Sequence, residues 1–212
     1  MRLRGLYAIT PDEADSSRLE QRVRTLFAAA ASRCAALQYR NKSAGDALRL
    51  EQARSLAALA RSSGVPFIVN DDVRLAIAVG ADGVHLGRDD GDIDAARAAL
   101  PGKLLGVSCY DSIAAARSAV AAGADYVAFG SVFPSVTKPG AVRAPLRLFE
   151  AAKVLGVPLV AIGGITPQNA AEVLRAGADA LAVISALFDA PDLAATAREF
   201  GRLFANQPGA TA

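Results

Sequence analysis

The stretch Val79-Gly80-Ala81-Asp82-Gly83-Val84 decides the fold, because closely similar stretches recur twice later in the chain. They are Ala122-Gly123-Ala124-Asp125-Tyr126-Val127 and Ala176-Gly177-Ala178-Asp179-Ala180-Leu181. Each copy follows a helical stretch and precedes a short apolar run. Glycine supplies the left-handed turn that ends a helix, so each copy is predicted to lead from a helix into a strand. The recurrence indicates a chain built of repeated βα units.

Eight short apolar runs are predicted to be strands, and most of them end at small, polar or charged residues. They cover residues 6–9, 36–39, 67–69, 83–86, 104–107, 126–129, 159–162 and 181–184. Eight predicted helices alternate with them, near residues 20–32, 44–63, 72–79, 93–100, 113–122, 145–155, 167–176 and 191–205. This alternation predicts an α/β fold, a single (β/α)₈ TIM barrel with its active site at the carboxyl ends of the strands.

We expect one TIM-barrel domain over residues 1–206 and a disordered C-terminal tail over residues 207–212. An open doubly wound sheet is the competing fold. It usually has fewer strands, and no Gly-x-Gly-x-x-Gly follows the first apolar run. Two helix starts are also predicted. Asp72 is expected to cap one helix, and Thr166 is expected to cap another that begins at Pro167.

Composition excludes several classes of function. The chain has 212 residues, of which 52% are hydrophobic, and a mean hydropathy of +0.27, which suits a sizeable core. The net charge of +2 comes without a run of Lys or Arg, and Trp is absent, so no nucleic-acid partner is expected. No stretch is long and apolar enough for a membrane span or a secretory signal, so a cytoplasmic protein is expected. Cys34 and Cys109 are expected to be buried, reduced thiols.

Gln38, Arg40 and Lys42 alternate with residues that point the other way, so on a strand they share one face. Three polar residues on the inner face of a barrel indicate that the strand has reached the open mouth. Two adjacent cations repel each other unless an anion lies between them. We therefore interpret Arg40 and Lys42 as a phosphate-binding pair, although two ordinary charges on a solvated loop are the alternative.

Carboxylates follow the third and fourth predicted strands. Asp71 comes directly after one strand and Asp90 closely after the next. Neighbouring strand ends bring these side chains together, and no basic partner is evident in the sequence, so a cation is a natural companion. The hard oxygen ligands suit Mg²⁺, which takes one or two carboxylates and often substrate phosphates. The alternative is that Asp89 and Asp90 merely begin a helix.

The last two strands carry a candidate phosphate site. Gly163 and Gly164 end the seventh strand, and adjacent glycines let the backbone approach a ligand closely. Ile184 and Ser185 end the eighth strand and are expected to open a short helix over residues 185–188. Loops after these two strands, with a small extra helix, form the usual phosphate site of a TIM barrel.

Residues 133–144 form the longest predicted connection between a strand and a helix. It carries the hydroxyls of Ser135 and Thr137 and the charge of Lys138, so it could close over an anion as a lid. A plain solvated loop is the equal alternative. His85, the single histidine, lies inside an apolar run and is interpreted as a structural residue hydrogen-bonded inside the barrel.

Taken together, these motifs resemble those of the thiamine phosphate synthase family. The resemblance runs from residue 6 to about residue 187. It is carried by ordered segments at residues 6–10, 38–42, 67–71, 83–87 with Asp90, 106–108, 125–126, 133–139, 161–166 with Asn169, and 184–185. So many motifs in one order make the resemblance specific.

The resemblance implies a transferase of thiamine synthesis. It would join 4-amino-5-hydroxymethyl-2-methylpyrimidine diphosphate to 4-methyl-5-(2-phosphooxyethyl)thiazole, with diphosphate leaving before the thiazole nitrogen attacks. It implies that Mg²⁺ is bound by Asp71 and Asp90. The implied residues for the pyrimidine diphosphate are Gln38, Tyr39, Arg40, Asn41, Lys42, Asn70, Ser108 and Lys138, of which Arg40, Lys42, Ser108 and Lys138 are the catalytic ones. Those for the thiazole phosphate are Ser135, Val136, Thr137, Gly164, Ile184 and Ser185.

The chain departs from the family pattern at three positions. Ser131 stands where the family often has Pro, Ser135 where Thr is usual, and Arg88 where Gln is common. Two other functions stay open: a thiazole tautomerase-like relative, whose branch has His at the position of Ser131, and a non-catalytic barrel that senses a thiazole phosphate. The partners are expected to be small molecules, and the oligomeric state, a homo-oligomer included, stays open.

Overall fold

The computed structural model describes residues 3–87, 91–134 and 142–205. In it, eight parallel strands close into a barrel in the order of the chain. The strands are β1 (Gly5–Ile9), β2 (Cys34–Tyr39), β3 (Phe67–Asn70), β4 (Gly83–Leu86), β5 (Leu104–Tyr110), β6 (Tyr126–Gly130), β7 (Leu159–Ile162) and β8 (Ala180–Val183). The predicted (β/α)₈ barrel is confirmed.

Helices surround the barrel. They are α1 (Ser16–Ala30), α2 (Asp46–Ser62), α3 (Val73–Val79), α4 (Ile93–Ala99), α5 (Ile113–Ala121), α6 (Arg147–Ala152), α7 (Ala170–Arg175), α8 (Ser185–Phe188) and α9 (Leu193–Ala205). Short 3₁₀ turns, Ala31–Arg33 and Lys153–Leu155, follow α1 and α6. No helix among the described residues is long and apolar enough to cross a bilayer. The predicted tail, residues 207–212, lies outside the described residues.

One predicted helix start is confirmed and one is wrong. The Asp72 side chain accepts the backbone N–H of Leu75 at 2.9 Å and caps α3 as expected. The last major helix before β8 begins at Ala170 rather than at Pro167. Residues 167–169 form a turn, in which Asn169 accepts the N–H of Thr166 at 2.8 Å and the Thr166 carbonyl accepts the N–H of Ala170 at 3.0 Å, so the regular helix begins one turn later.

The recurring Gly-Ala-Asp motif closes the amino ends of the strands. Asp82 donates its backbone N–H to the carbonyl of Phe67, and its side chain accepts the N–H of Phe67 at 2.9 Å. Asp125 makes the same two contacts with Leu105. Asp179 repeats them with Leu159, again at 2.9 Å for the side chain. Each aspartate therefore joins the start of its own strand to the start of the preceding strand.

The core has two layers. A larger cluster fills the space between the strands and the helices. A smaller one lies inside the barrel and includes Tyr7, Ile9, Ala36, Ile68, Tyr126, Ala128, Val160, Ala180 and Ala182. Its alanines leave space toward the carboxyl ends, where Ala128 and Ala182 line a cavity. Cys34 and Cys109 are both free thiols, with Cys109 buried and Cys34 partly buried.

Candidate active site

A cavity of about 550 Å³ opens at the carboxyl ends of the strands. Residues from every strand or from the segment that follows it contribute to the wall. The structure thus brings both predicted phosphate sites to one cavity. The predicted site residues that line it are Gln38, Arg40, Lys42, Asn70, Asp71, Ser108, Gly164, Ile184 and Ser185.

Arg40 is positioned by the segment that follows β1. The buried Thr10 hydroxyl accepts the backbone N–H of Arg40 and donates to its carbonyl, both at 2.8 Å. Asp12 pairs with the Arg40 guanidinium at 3.0 Å and accepts the N–H of Lys42 at 2.8 Å. Asp12 was not among the residues predicted from the sequence. Its position just after β1 could have pointed to this contact, because neighbouring strands of a barrel end side by side and β2 is the neighbour of β1.

The sequence showed no basic partner for the carboxylates at this rim, but the structure gives Asp71 and Asp72 one each. Lys42 Nζ lies 3.2 Å from Asp71 Oδ2, and Arg49 lies 3.0 Å from Asp72 Oδ2. The pairing arises because β2 and β3 are neighbours, so a long lysine after one strand reaches an aspartate after the next. Asp71 thus has a cation beside it, one that belongs to the protein itself.

Tyr39 and Asn41 face away from the large cavity. The Tyr39 hydroxyl donates to Gln52 on α2 at 2.9 Å. Asn41 donates to Gln52 at 3.0 Å and to the carbonyl of Glu13 at 2.7 Å. Both residues line a smaller pocket of about 260 Å³ that also reaches Arg40 and Asp71. Their side chains hold the segment after β2 in place, and their contact with a substrate stays a prediction.

Polar side chains form a connected group on the inner wall of the barrel. His85 Nε2 lies 2.9 Å from Ser108 Oγ, and its Nδ1 lies 3.1 Å from the hydroxyl of Tyr126. Tyr126 is 2.7 Å from the hydroxyl of Tyr7, which accepts from Gln38 at 3.0 Å. The prediction that His85 is hydrogen-bonded inside the barrel is confirmed. The two tyrosines were not predicted as site residues, because a tyrosine within an apolar run is usually a core residue.

The Gly163–Gly164 turn is tightly packed. Gly164 has a φ of +63°, and a Cβ there would lie 2.2 Å from the carbonyl oxygen of Pro134. Asn169 donates to the carbonyl of Gly164 at 2.9 Å and fixes the turn. Neither the φ nor the packing admits a side chain easily, so the backbone itself lines the cavity. Ser185 lines the same cavity after β8 and begins the short helix α8, as predicted.

Two residues other than glycine have a positive φ in the described ranges, and both line the cavity. They are Asp71 at +63° and Tyr110 at +53°. Such backbone conformations are unfavourable for residues with a Cβ and tend to persist at functional sites. Asp71 takes this conformation immediately after β3, where its backbone N–H donates to the carbonyl of His85 at 2.8 Å.

Several predicted site residues lie outside the described residues: Asp90, Ser135, Val136, Thr137 and Lys138. Most of the predicted lid, residues 133–144, is outside as well. Within residues 3–87, 91–134 and 142–205, no three His, Cys, Asp or Glu side chains converge as a metal site. Of the two predicted metal ligands, Asp71 alone lies within the described residues, and it lines the cavity.

The model of the thiamine monophosphate synthase family matches residues 6–187, which is most of the chain. The chain belongs to this family. Thiamine-phosphate synthase from Aromatoleum aromaticum is 60% identical over 205 residues, covering 96% of this chain and 97% of that protein. The protein of the same name from Methylobacillus flagellatus is 57% identical over 203 residues, covering 95% and 96%.

Solved structures agree with this membership in the thiamine monophosphate synthase family. Thiamine phosphate pyrophosphorylase from Pyrococcus furiosus superposes with a TM-score of 0.83 at 37% identity, covering 96% of both chains. A 3-hexulose-6-phosphate synthase superposes at 0.68 with 19% identity, covering 94% of this chain and 99% of that one. The second likeness concerns the barrel fold alone.

Proposed function

We propose that this chain is a transferase that synthesises thiamine phosphate. The C–O bond between the methylene carbon of 4-amino-5-hydroxymethyl-2-methylpyrimidine diphosphate and its diphosphate breaks. A C–N bond then forms from that carbon to the ring nitrogen of 4-methyl-5-(2-phosphooxyethyl)thiazole. One observation carries the proposal: the cationic end of β2 and the Gly163–Gly164 turn face the same cavity of about 550 Å³.

The diphosphate is assigned to the end of β2. Arg40 offers a fork of donors for phosphate oxygens, and Lys42 offers a point charge. Their present partners, Asp12 and Asp71, lie on the partly exposed rim. Exposed ion pairs contribute only about 0–1 kcal/mol, so an incoming diphosphate can replace them at small cost. Asn70 and Ser108 supply neutral hydrogen bonds to the same substrate, and the sequence adds Lys138 to this group.

Mg²⁺ is the proposed cofactor, and the described residues fit it. Asp71 gives a hard carboxylate at the cavity rim, and Mg²⁺ commonly takes one or two carboxylates together with substrate phosphates. Asp90 is the second proposed ligand, from the sequence alone. The ion would neutralise charge on the departing diphosphate. Lys42, which lies 3.2 Å from Asp71, would add a second positive charge to the diphosphate.

The thiazole phosphate is assigned to the ends of β7 and β8. Gly164 presents bare backbone to the cavity, and Ile184 and Ser185 lie beside it at the start of α8. The sequence adds Ser135, Val136 and Thr137 from the connection that follows β6. On this proposal the two phosphates bind at different strand ends, one at β2 and the other at β7 and β8, and the barrel interior is left for the two rings.

Proton transfer has a small part in the proposed reaction. Departure of diphosphate leaves a cation stabilised by the pyrimidine ring, and the thiazole nitrogen adds to it without first losing a proton. Burial raises the pKa of the Tyr7 hydroxyl and that of the Tyr126 hydroxyl, so both phenols stay neutral. The two phenols therefore add no charge to the inner wall, and stabilisation of the leaving diphosphate is assigned to the rim.

The decisive experiment mixes both substrates with the protein and MgCl₂ and measures diphosphate and thiamine phosphate together. We expect equal amounts of both products, none when either substrate is omitted, and loss of activity with EDTA that excess MgCl₂ restores. A tautomerase-like protein would change the thiazole without diphosphate. A sensor would bind the thiazole phosphate and release nothing. Either result would overturn the proposal. A cytoplasmic location and a possible homo-oligomer stay predictions from the sequence.

A further inference from the structure

Five side chains form one continuous line of hydrogen bonds across the barrel interior. Gln38 Nε2 donates to the Tyr7 hydroxyl at 3.0 Å, and that hydroxyl lies 2.7 Å from the hydroxyl of Tyr126. Tyr126 lies 3.1 Å from His85 Nδ1, and His85 Nε2 lies 2.9 Å from Ser108 Oγ. Both ends of the line, Gln38 and Ser108, are among the residues proposed to bind the pyrimidine diphosphate.

The barrel is built to accommodate this line. Tyr7 and Tyr126 are each 1% exposed, and their rings lie 5.9 Å apart between centroids. Gly106 on β5 makes room for the Tyr126 ring, because a Cβ there would lie 2.0 Å from Cζ of Tyr126. His85 stacks on the Tyr126 ring with centroids 5.5 Å apart. A buried polar line of this kind is favourable only when each member finds its partner.

The direction of the first hydrogen bond fixes the direction of the others. The Tyr7 oxygen accepts from Gln38, and among the described residues the other hydrogen-bond partner of this buried hydroxyl is Tyr126. The Tyr7 hydrogen is therefore satisfied by donation to Tyr126. Tyr126 then donates to His85 Nδ1. A neutral imidazole that accepts at Nδ1 carries its hydrogen on Nε2 and donates it to Ser108 Oγ. The hydroxyl hydrogen of Ser108 is then directed to another acceptor.

We propose that Tyr7, Tyr126 and His85 are positioning residues that transmit the orientation of the Gln38 amide to Ser108 and so make the Ser108 hydroxyl a donor toward the substrate. In this role they touch neither phosphate and transfer no proton. The line fixes which groups of the cavity donate and which accept. The tautomer of His85 follows from this proposal alone, whereas its kinetic consequence rests on the proposed function.

The first test reads the tautomer of His85, which is the single histidine of the chain. Protein without a histidine tag, labelled with ¹⁵N-histidine, gives the ring signals of this residue alone. We expect the hydrogen on Nε2 in the unsubstituted protein. Gln38→Glu should reverse the line once the new carboxylate is ionised, which Arg40 and Lys42 in the same cavity favour. An ionised carboxylate only accepts, so Tyr7 must donate to it.

The reversal should move the His85 hydrogen from Nε2 to Nδ1. Spectra between pH 7 and pH 9, with the ¹³C signal of the new carboxyl group as a monitor, should show the tautomer following its ionisation. Adding Tyr7→Phe to Gln38→Glu cuts the line and should abolish this response. Hydrogen on Nδ1 in the unsubstituted protein would overturn the proposal. The proposal would also be overturned if the tautomer of His85 did not change when the carboxylate of Gln38→Glu ionised. It would be overturned as well if the tautomer still changed in the double variant with Tyr7→Phe.

The second test is kinetic and uses Tyr126→Phe, which removes one hydroxyl and keeps the ring. We expect the KM for the pyrimidine diphosphate to rise about tenfold, as for loss of an ordinary hydrogen bond, with an unchanged KM for the thiazole phosphate. Asp82→Ala, at the opposite end of the barrel, controls for a general loss of stability and should move neither KM. Equal changes in both KM values, or none, would contradict the positioning role. If the unsubstituted protein made no thiamine phosphate, the proposed function would be wrong. The tautomer test would still show whether Tyr7, Tyr126 and His85 transmit the orientation of the Gln38 amide.

Discussion

Aspartates at the two ends of the barrel do different things with the same carboxylate. At the amino ends, Asp82 and Asp179 each accept a backbone N–H at 2.9 Å from the first residue of the preceding strand. At the carboxyl ends, Asp71 pairs with Lys42 at 3.2 Å. Asp12 pairs with Arg40 at 3.0 Å and in addition accepts the N–H of Lys42. A backbone partner cannot leave without breaking the barrel, whereas a long cationic side chain can turn toward a ligand.

The partner, rather than the residue type, therefore predicts whether an aspartate supports the fold or the site. A carboxylate bonded to a strand N–H contributes a hydrogen bond to stability, about 1 kcal/mol. A carboxylate in a partly exposed ion pair contributes little to stability and remains exchangeable. This contrast gives each end of the barrel its own expected response to mutation, stability at the amino ends and activity at the carboxyl ends.

The largest effect is expected for Asp71→Ala. Loss of the proposed Mg²⁺ ligand should lower kcat/KM by about 10²- to 10³-fold, or about 3–4 kcal/mol of leaving-group stabilisation. The melting temperature should change little, because the ion pair with Lys42 is partly exposed. Steady-state kinetics at limiting MgCl₂ together with a thermal melt measure both quantities. The sequence predicts the same result for Asp90→Ala.

The matched control is Asp82→Ala, which removes a carboxylate from the other end of the barrel. It should lower the melting temperature and leave the kinetic constants of the folded enzyme unchanged. Normal turnover by Asp71→Ala at limiting MgCl₂ would remove Asp71 from the metal site. Equal kinetic losses in the two variants would remove the contrast between the two ends.

The fold was predictable because its signals are local. Glycine turns, the Asp72 cap and the alternation of apolar and helical stretches each depend on a few neighbouring residues. The predicted helix start after Thr166 was wrong by one turn, since residues 167–169 form a turn before α7 begins at Ala170.

The site was predictable only in part because its contacts join distant positions. Inward-facing Gln38, Arg40 and Lys42 follow from strand alternation. The pair of Tyr7 with Tyr126 spans 119 residues, and its members lie in apolar runs that carry no polar signal. The missed role of Asp12 has the same cause, because its partner Arg40 follows a different strand.

A pair of glycines with the same φ gives the next largest effect. Gly164 and Gly80 both have a φ of +63°, so an alanine at either position meets the strain of a left-handed φ. At Gly164 the new Cβ would lie 2.2 Å from the Pro134 carbonyl oxygen, whereas at Gly80 the nearest atom is 3.7 Å away. Gly164→Ala should raise the KM for the thiazole phosphate by about tenfold or more, because the turn must move.

Gly80→Ala should cost a similar backbone strain without changing either KM. Initial rates with each substrate varied in turn, plus thermal melts of both variants, separate the two effects. The assignment of the thiazole phosphate to the Gly163–Gly164 turn would be wrong if Gly164→Ala weakened both substrates equally. It would also be wrong if Gly80→Ala had the same kinetic effect.

A smaller effect is expected for Asp179→Ala at the amino ends. The N–H of Leu159 would lose its acceptor at 2.9 Å, which should lower the free energy of unfolding by about 1 kcal/mol and the melting temperature by about 2–4 °C. Denaturant unfolding and a thermal melt measure this loss. The rate per folded molecule should stay unchanged, and a drop in kcat at a temperature where the variant is folded would contradict the contrast.

The smallest effect under ordinary conditions concerns the two cysteines, one near each end of the barrel. Burial raises the pKa of the Cys34 thiol and that of the Cys109 thiol to about 12. At pH 8 both are protonated in the folded protein, so a thiol reagent should modify them far more slowly than a free cysteine.

The same two thiols should make the stability of the protein depend on pH. In the unfolded state they lose their protons near the ordinary thiol pKa of about 8.5, whereas in the folded state they keep them up to about pH 12. The free energy of unfolding therefore falls as the pH rises from about 9 toward 12. Replacing both by alanine should leave kcat unchanged at pH 8 and should flatten that alkaline loss by up to about 1.4 kcal/mol per pH unit for each thiol. Rapid modification of the folded protein at pH 8, or an alkaline stability curve that the double substitution leaves unaltered, would show that neither thiol is held protonated by the barrel.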